Sequence, residues 1–160
     1  MFPAYDIVKR ALNWYQNRED VAYWMGAKGE TLTMRRMQEL VSAYSDYFSK
    51  YTPERLAELM AWSKGKTGFD CSGLVSVCAG LKGLSSWTLW DKTVNRTTVR
   101  NCKAGSFLWR PGHIGIDIGY GYFIDIAAEG QTVRLLPNSK GTFTNGGEYT
   151  GADYTMMNNY

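Results

Sequence analysis

A single histidine, three cysteines and four prolines stand out as the scarce residues of this 160-residue chain. An odd number of thiols with no C-x-x-C pair makes neither a disulfide framework nor a zinc site, so no metal or other cofactor is expected. Dense Lys/Arg runs are missing as well. The 18 basic and 15 acidic residues are mixed along the chain for a net charge of +3, which excludes the basic stripe of a nucleic-acid groove. No apolar run approaches the roughly 20 residues that cross a bilayer, so no membrane insertion is expected. The N-terminus, Met1-Phe2-Pro3-Ala4-Tyr5-Asp6, lacks the basic stretch and apolar core of a signal peptide, and synthesis in the cytoplasm is the expectation.

With 44% hydrophobic and 21% charged residues, the chain suits one domain, residues 1–160, able to bury a core without cross-links. Seventeen glycines and 14% aromatic residues suggest many turns and a groove lined with rings. The first half has helical periodicity. Ile7, Val8, Ala11, Leu12 and Tyr15 share one face, with Gln16 to Asp20 as a polar exit. Thr33 caps a second helix with an apolar face of Met34, Met37, Val41, Tyr44 and Phe48. Thr52-Pro53-Glu54 opens a third, running through Leu56, Leu59, Met60 and Trp62 until Ser63 to Gly68 stop it. Cys71 to about Ala79 reads as a short core helix behind a Gly68-Phe69 turn, with Cys78 as a buried thiol. Strands are then expected at Gly105–Trp109, His113–Ile118, Tyr122–Ala127 and Thr132–Leu136, with Glu129-Gly130 as a turn. Helices followed by a meander give an α+β domain with helices on one face of an antiparallel sheet. Residues 137–160 carry no clear pattern.

Asp70-Cys71-Ser72-Gly73-Leu74 puts a thiol where a helix begins, near the positive end of the backbone dipole and its unpaired N–H groups. The lone histidine, His113, opens the strand Ile114-Gly115-Ile116-Asp117-Ile118. An imidazole on a rigid strand can take the proton from such a thiol. In a meander the next strand returns beside His113 and brings Asp125, twelve residues on, to the same face, where a carboxylate fixes the tautomer. Asp117, four residues along the same strand, lies about 13 Å from His113 at the usual strand rise and is rejected as its partner. Gly26-Ala27-Lys28-Gly29 lacks the spacing of a phosphate loop.

Gly68-Phe69-Asp70-Cys71-Ser72-Gly73-Leu74 and Gly112-His113-Ile114-Gly115-Ile116 together resemble the NlpC family of papain-like cell-wall cysteine peptidases. The resemblance covers most of the chain from Tyr23 to about Leu136, with 68–136 holding the core motifs. It implies a papain-like fold in which N-terminal helices pack on a central meander, with residues 31–64 as a helical insertion where relatives have a short loop. It also implies Cys71 as nucleophile, His113 as base and Asp125 as the orienting residue, although relatives carry His, Asn, Gln or Glu in that place. Ala22-Tyr23-Trp24-Met25-Gly26 resembles the family's Tyr-bearing segment, which makes Tyr23 the oxyanion tyrosine, with Trp62 as the alternative groove aromatic. Asp70 and Ser72 are implied to hold the substrate's peptide end. The expected activity is hydrolysis of an amide in the stem or bridge peptide of peptidoglycan, such as a γ-D-glutamyl bond to a diamino acid, through a thioester. Alternatives are an amidase cutting muramic acid from L-alanine, another papain-like amidase, or an inactive wall-binding module. A monomer is expected, reaching the wall by phage-type release or delivery.

Overall fold

Four helices begin on a side chain that accepts a hydrogen bond from a backbone N–H three residues ahead: Thr33 from Arg36, Thr52 from Arg55, Asp70 from Gly73 and Ser85 from Thr88. Such caps satisfy amides that the helix itself leaves unpaired. The computed structural model describes residues 1–157. In chain order it contains β1 (Phe2–Pro3), α1 (Tyr5–Gln16), β2 (Val21–Tyr23), β3 (Lys28–Thr31), α2 (Met34–Ala43), α3 (Ser45–Phe48), α4 (Pro53–Ser63), β4 (Thr67–Phe69), α5 (Cys71–Cys78) and α6 (Ser86–Asp91). There follow β5 (Thr93–Thr97), β6 (Phe107–Arg110), β7 (His113–Gly119), β8 (Tyr122–Asp125), β9 (Arg134–Pro137), β10 (Asn145–Tyr149) and β11 (Ala152–Asp153).

The expected meander forms as β6-β7-β8-β9 within a larger sheet of order β5-β10-β6-β7-β8-β9. Helices α1 and α5 pack against β7 and β8, and their buried Ile7, Ala11, Leu74 and Val75 meet Ile114, Ile116 and Ile124 in the main core. A second, three-stranded sheet has the order β2-β4-β3, with Tyr23 and Lys28 both in register with Phe69, on its two sides. Helices α2 to α4 have a core of their own, in which Met37, Leu40, Phe48 and Leu59 cluster with Trp24 and Leu32.

Several expectations change. Gly68-Phe69 is not a turn but part of β4, because Val21 to Tyr23 pair with it in parallel. The second helix ends at Ala43, Phe48 sits in the separate α3, and Met34 and Tyr44 are largely exposed rather than on the core face. The sheet also extends beyond the expected meander, through the inner strand β10 to the edge strand β5. Asn145-Gly146-Gly147-Glu148-Tyr149 has almost no β-forming composition, and its pairing with β6 and β5 supplies the order that propensity does not. No helix of the described residues is long and apolar enough to cross a membrane.

Candidate active site

Strand β4 runs directly into α5, so Cys71 is the first helical residue, half-buried, with Asp70 as N-cap. Helix α5 lies on β7, and the thiol faces the backbone N–H groups of Ile114 and Ser72. Ile114 is the neighbour of His113, which places the sulfur at the start of the strand that carries the histidine.

His113 is buried, and its Nε2 lies 2.8 Å from Asp125 Oδ2. A carboxylate can only accept, so Nε2 carries the hydrogen and Nδ1 is left as the basic nitrogen. The register of β7 and β8, with Ile116 opposite Ile124, sets Asp125 opposite Gly115 and diagonal to His113. Gly115 is needed there: a Cβ at this position would lie 2.8 Å from the Phe143 ring and 3.2 Å from Asp125 Cβ. Phe143 stacks on His113 with ring centroids 5.2 Å apart and planes 7° from parallel, so one face of the imidazole is held by packing.

One strand further, Arg134 on β9 is in register with Asp125 and grips it with two hydrogen bonds, Nε to Oδ1 at 2.8 Å and a terminal guanidinium nitrogen to Oδ2 at 2.7 Å. Burial would raise the Asp125 carboxyl, but the hydrogen bonds from His113 and Arg134 and their charges hold it below the ordinary carboxylate range. The carboxylate is thus ionised and shared between an imidazole and a guanidinium. Asp117, by contrast, is turned to its own turn and accepts from the Gly119 N–H at 2.7 Å.

Burial pushes the Cys71 thiol up to about 11, with Asp70 adding to the rise, while the Ile114 N–H, Lys28 and the Ser72 N–H pull the other way. The helix-start N–H of Ser72 thus pulls the thiol down, but desolvation outweighs it. Tyr23 is buried within electrostatic reach of Cys71, its hydroxyl raised well above the usual phenol range by burial and by Tyr47, Cys71, Glu129 and Asp70 around it. Its phenol lies beside that of Tyr47.

Asp70 and Ser72 are buried, and Lys28 Nζ contacts both Asp70 oxygens and Ser72 Oγ at 2.8 to 2.9 Å. Trp62 lies on the exposed side of α4 with the Lys66 ammonium 5.3 Å over its ring, and it has no recorded contact with Cys71, His113 or Asp125. Among the described residues no cluster of three or more His, Cys, Asp or Glu is arranged to hold a metal.

Sequence reasoning missed Lys28, Glu129, Arg134, Tyr47 and Phe143. Only Arg134 left a signal, since extending the meander by one strand puts residue 134 opposite residue 125. Glu129 is no mere turn residue: it is buried and accepts from Tyr47 and Tyr51 hydroxyls at 2.7 and 2.6 Å and from the Met25 N–H at 3.1 Å. The first two donors come from the helical insertion.

This α+β scaffold, with a cysteine at a helix start and a histidine at a strand start, is similar in fold to solved structures of NlpC/P60 type. Similar solved structures include the peptidoglycan hydrolase RipB of Mycobacterium tuberculosis, with a TM-score of 0.53 and 19% identity over 91% of this chain and 65% of that one. The P60 domain of an antigen from M. avium subspecies paratuberculosis gives 0.54 and 16% identity over 94% of this chain and 98% of that one. RipA, a resuscitation promoting factor interacting protein, gives 0.50 and 17% over 91% and 63%. The chain thus spans just under two thirds of the RipB and RipA chains. No protein-family model matches the sequence. No curated protein matches it either.

Proposed function

We propose that this protein is a cysteine hydrolase of peptidoglycan that cuts an amide in the stem or bridge peptide through a thioester. The observation that carries the reading is the row His113–Asp125–Arg134 across β7, β8 and β9, beside a half-buried thiol at the start of α5. The likeness of the fold to RipB, itself a peptidoglycan hydrolase, supports the substrate class.

As the Cys71 sulfur attacks the carbonyl carbon, its proton passes to His113 Nδ1, the nitrogen that Asp125 leaves free. The carbonyl oxygen takes up the negative charge, which the Cys71 N–H and the Tyr23 hydroxyl receive. Collapse breaks the C–N bond, and His113 returns the proton to the departing amine. Water, deprotonated by His113, then attacks the thioester, releasing the acid and restoring the thiol. Asp125 holds the ring in orientation throughout and stabilises the imidazolium once formed.

Digestion of purified cell wall, with mass spectrometry of the products, tests the reading. New amine and carboxyl ends within the peptide are expected, and Cys71→Ala should release none. Ends at muramic acid would make the protein an amidase instead, and unchanged release by Cys71→Ala would reject the mechanism.

A further inference from the structure

Beside the nucleophile sits a carboxylate with nothing left to accept. Asp70 Oδ1 takes hydrogen bonds from Lys28 Nζ at 2.8 Å, the Gly73 N–H at 2.8 Å and Ser72 Oγ at 3.2 Å. Its Oδ2 takes Lys28 Nζ at 2.9 Å and the Gly26 N–H at 3.2 Å. Five contacts exceed the roughly four acceptor sites of a carboxylate. Lys28 is equally committed, because its ammonium spans both Asp70 oxygens and Ser72 Oγ at 2.8 Å, with the Leu84 carbonyl at 3.5 Å.

This arrangement is built in rather than an accident of a long side chain. Lys28 is in register with Phe69, two residues before the nucleophile, so the ladder between β3 and β4 fixes its starting point. Its aliphatic stem lies over Gly83, where a Cβ would come within 2.6 to 2.8 Å of the lysine carbons. A free carboxylate next to an attacked carbonyl is a seat for a substrate ammonium, but here the protein's own ammonium occupies it. A second cation would meet a neutralised pair and find no open acceptor.

We propose that Lys28 makes this site indifferent to a free amine at the substrate's N-terminus, so that it takes N-acylated stem peptides, such as those still joined to glycan, as readily as released ones. The proposal rests on the hydrolase reading above, and it removes Asp70 and Ser72 from direct substrate binding.

A matched pair of synthetic stem peptides, one with a free N-terminal amine and one N-acetylated, tests it through the ratio of their kcat/KM values. The wild-type ratio is expected within about threefold of unity, and Lys28→Arg should keep it. Lys28→Met frees Asp70 and is expected to shift the ratio about tenfold or more toward the free amine, ~1.4 kcal/mol of discrimination. A wild-type preference for the free amine of about tenfold overturns the proposal even if Lys28→Met fails to fold. So does an unchanged ratio in a Lys28→Met protein with a cooperative melt. Absence of Cys71-dependent cleavage of either peptide and of cell wall overturns instead the hydrolase reading.

Discussion

At the scale of single residues, burial keeps the proposed nucleophile, Cys71, protonated, while the orientation of the proposed base, His113, is enforced twice. With the Cys71 thiol near 11, its alkylation by iodoacetamide should be slow at pH 7 and still rising above pH 9. A rate already level by pH 7 would show a preformed ion pair. The base side predicts a graded series in cell-wall release. His113→Ala removes the proton carrier and should lower kcat/KM by about 10²–10⁴. Asp125→Ala, which frees the ring to rotate and leaves Arg134 unpaired, should fall between that loss and the smaller one of Arg134→Met, which retains the hydrogen bond to His113. An Arg134→Met loss as large as that of His113→Ala would mean that the guanidinium contributes to chemistry directly.

Elements explain how residues so far apart in sequence come together. Strand β4 is flanked by β2 and β3, and this places Tyr23 on one side of Phe69 and Lys28 on the other, just ahead of Cys71. The helical insertion at first reads as an obstacle between Tyr23 and the thiol, yet α3 and the loop behind it send Tyr47 and Tyr51 to Glu129, in the loop that follows β8. Tyr47 in turn lies beside Tyr23. Glu129→Ala should therefore loosen the insertion and the tyrosine together, since two half-buried hydroxyls each lose an acceptor worth about 1 kcal/mol. The expected signs are a melt several degrees lower and faster proteolysis between residues 44 and 52. An unchanged melt would show that the apolar contacts of Phe48 and Leu59 hold the insertion unaided.

For the whole molecule, pH dependence of stability centres on Asp117. Burial raises its carboxyl from 3.8 to about 7, against the opposing hydrogen bond from the Gly119 N–H. The folded state thus binds this proton more tightly than the unfolded chain does. Its contribution is fully present below about pH 4 and is lost as pH rises toward 7. Asp117→Asn keeps an acceptor for Gly119 without the charge, so it should flatten the change in Tm between pH 4 and 7. At pH 7 it should raise Tm by about 2–4 °C, for a gain of ~1 kcal/mol. A lower Tm at pH 7 would indicate that the ionised carboxylate is the form the fold prefers.

The sequence by itself determined what depends on local pattern and short spacing. The helix starts at Thr33 and Thr52 were legible from capping chemistry, and the meander from alternation and turns, so that Cys71, His113 and Asp125 could be placed. The last of these needed only a hairpin register, because two strands joined by a short turn have few ways to pair. Tertiary structure alone decided the rest. The pairing of β2, β4 and β3, the return of β10 to β6, and the ion pair of Lys28 with Asp70 join segments whose order along the chain says nothing of their distance in space. Burial decided the protonation of Cys71 and Asp117 in the same way, since desolvation is set by what the whole fold packs around a group and not by its neighbours in sequence.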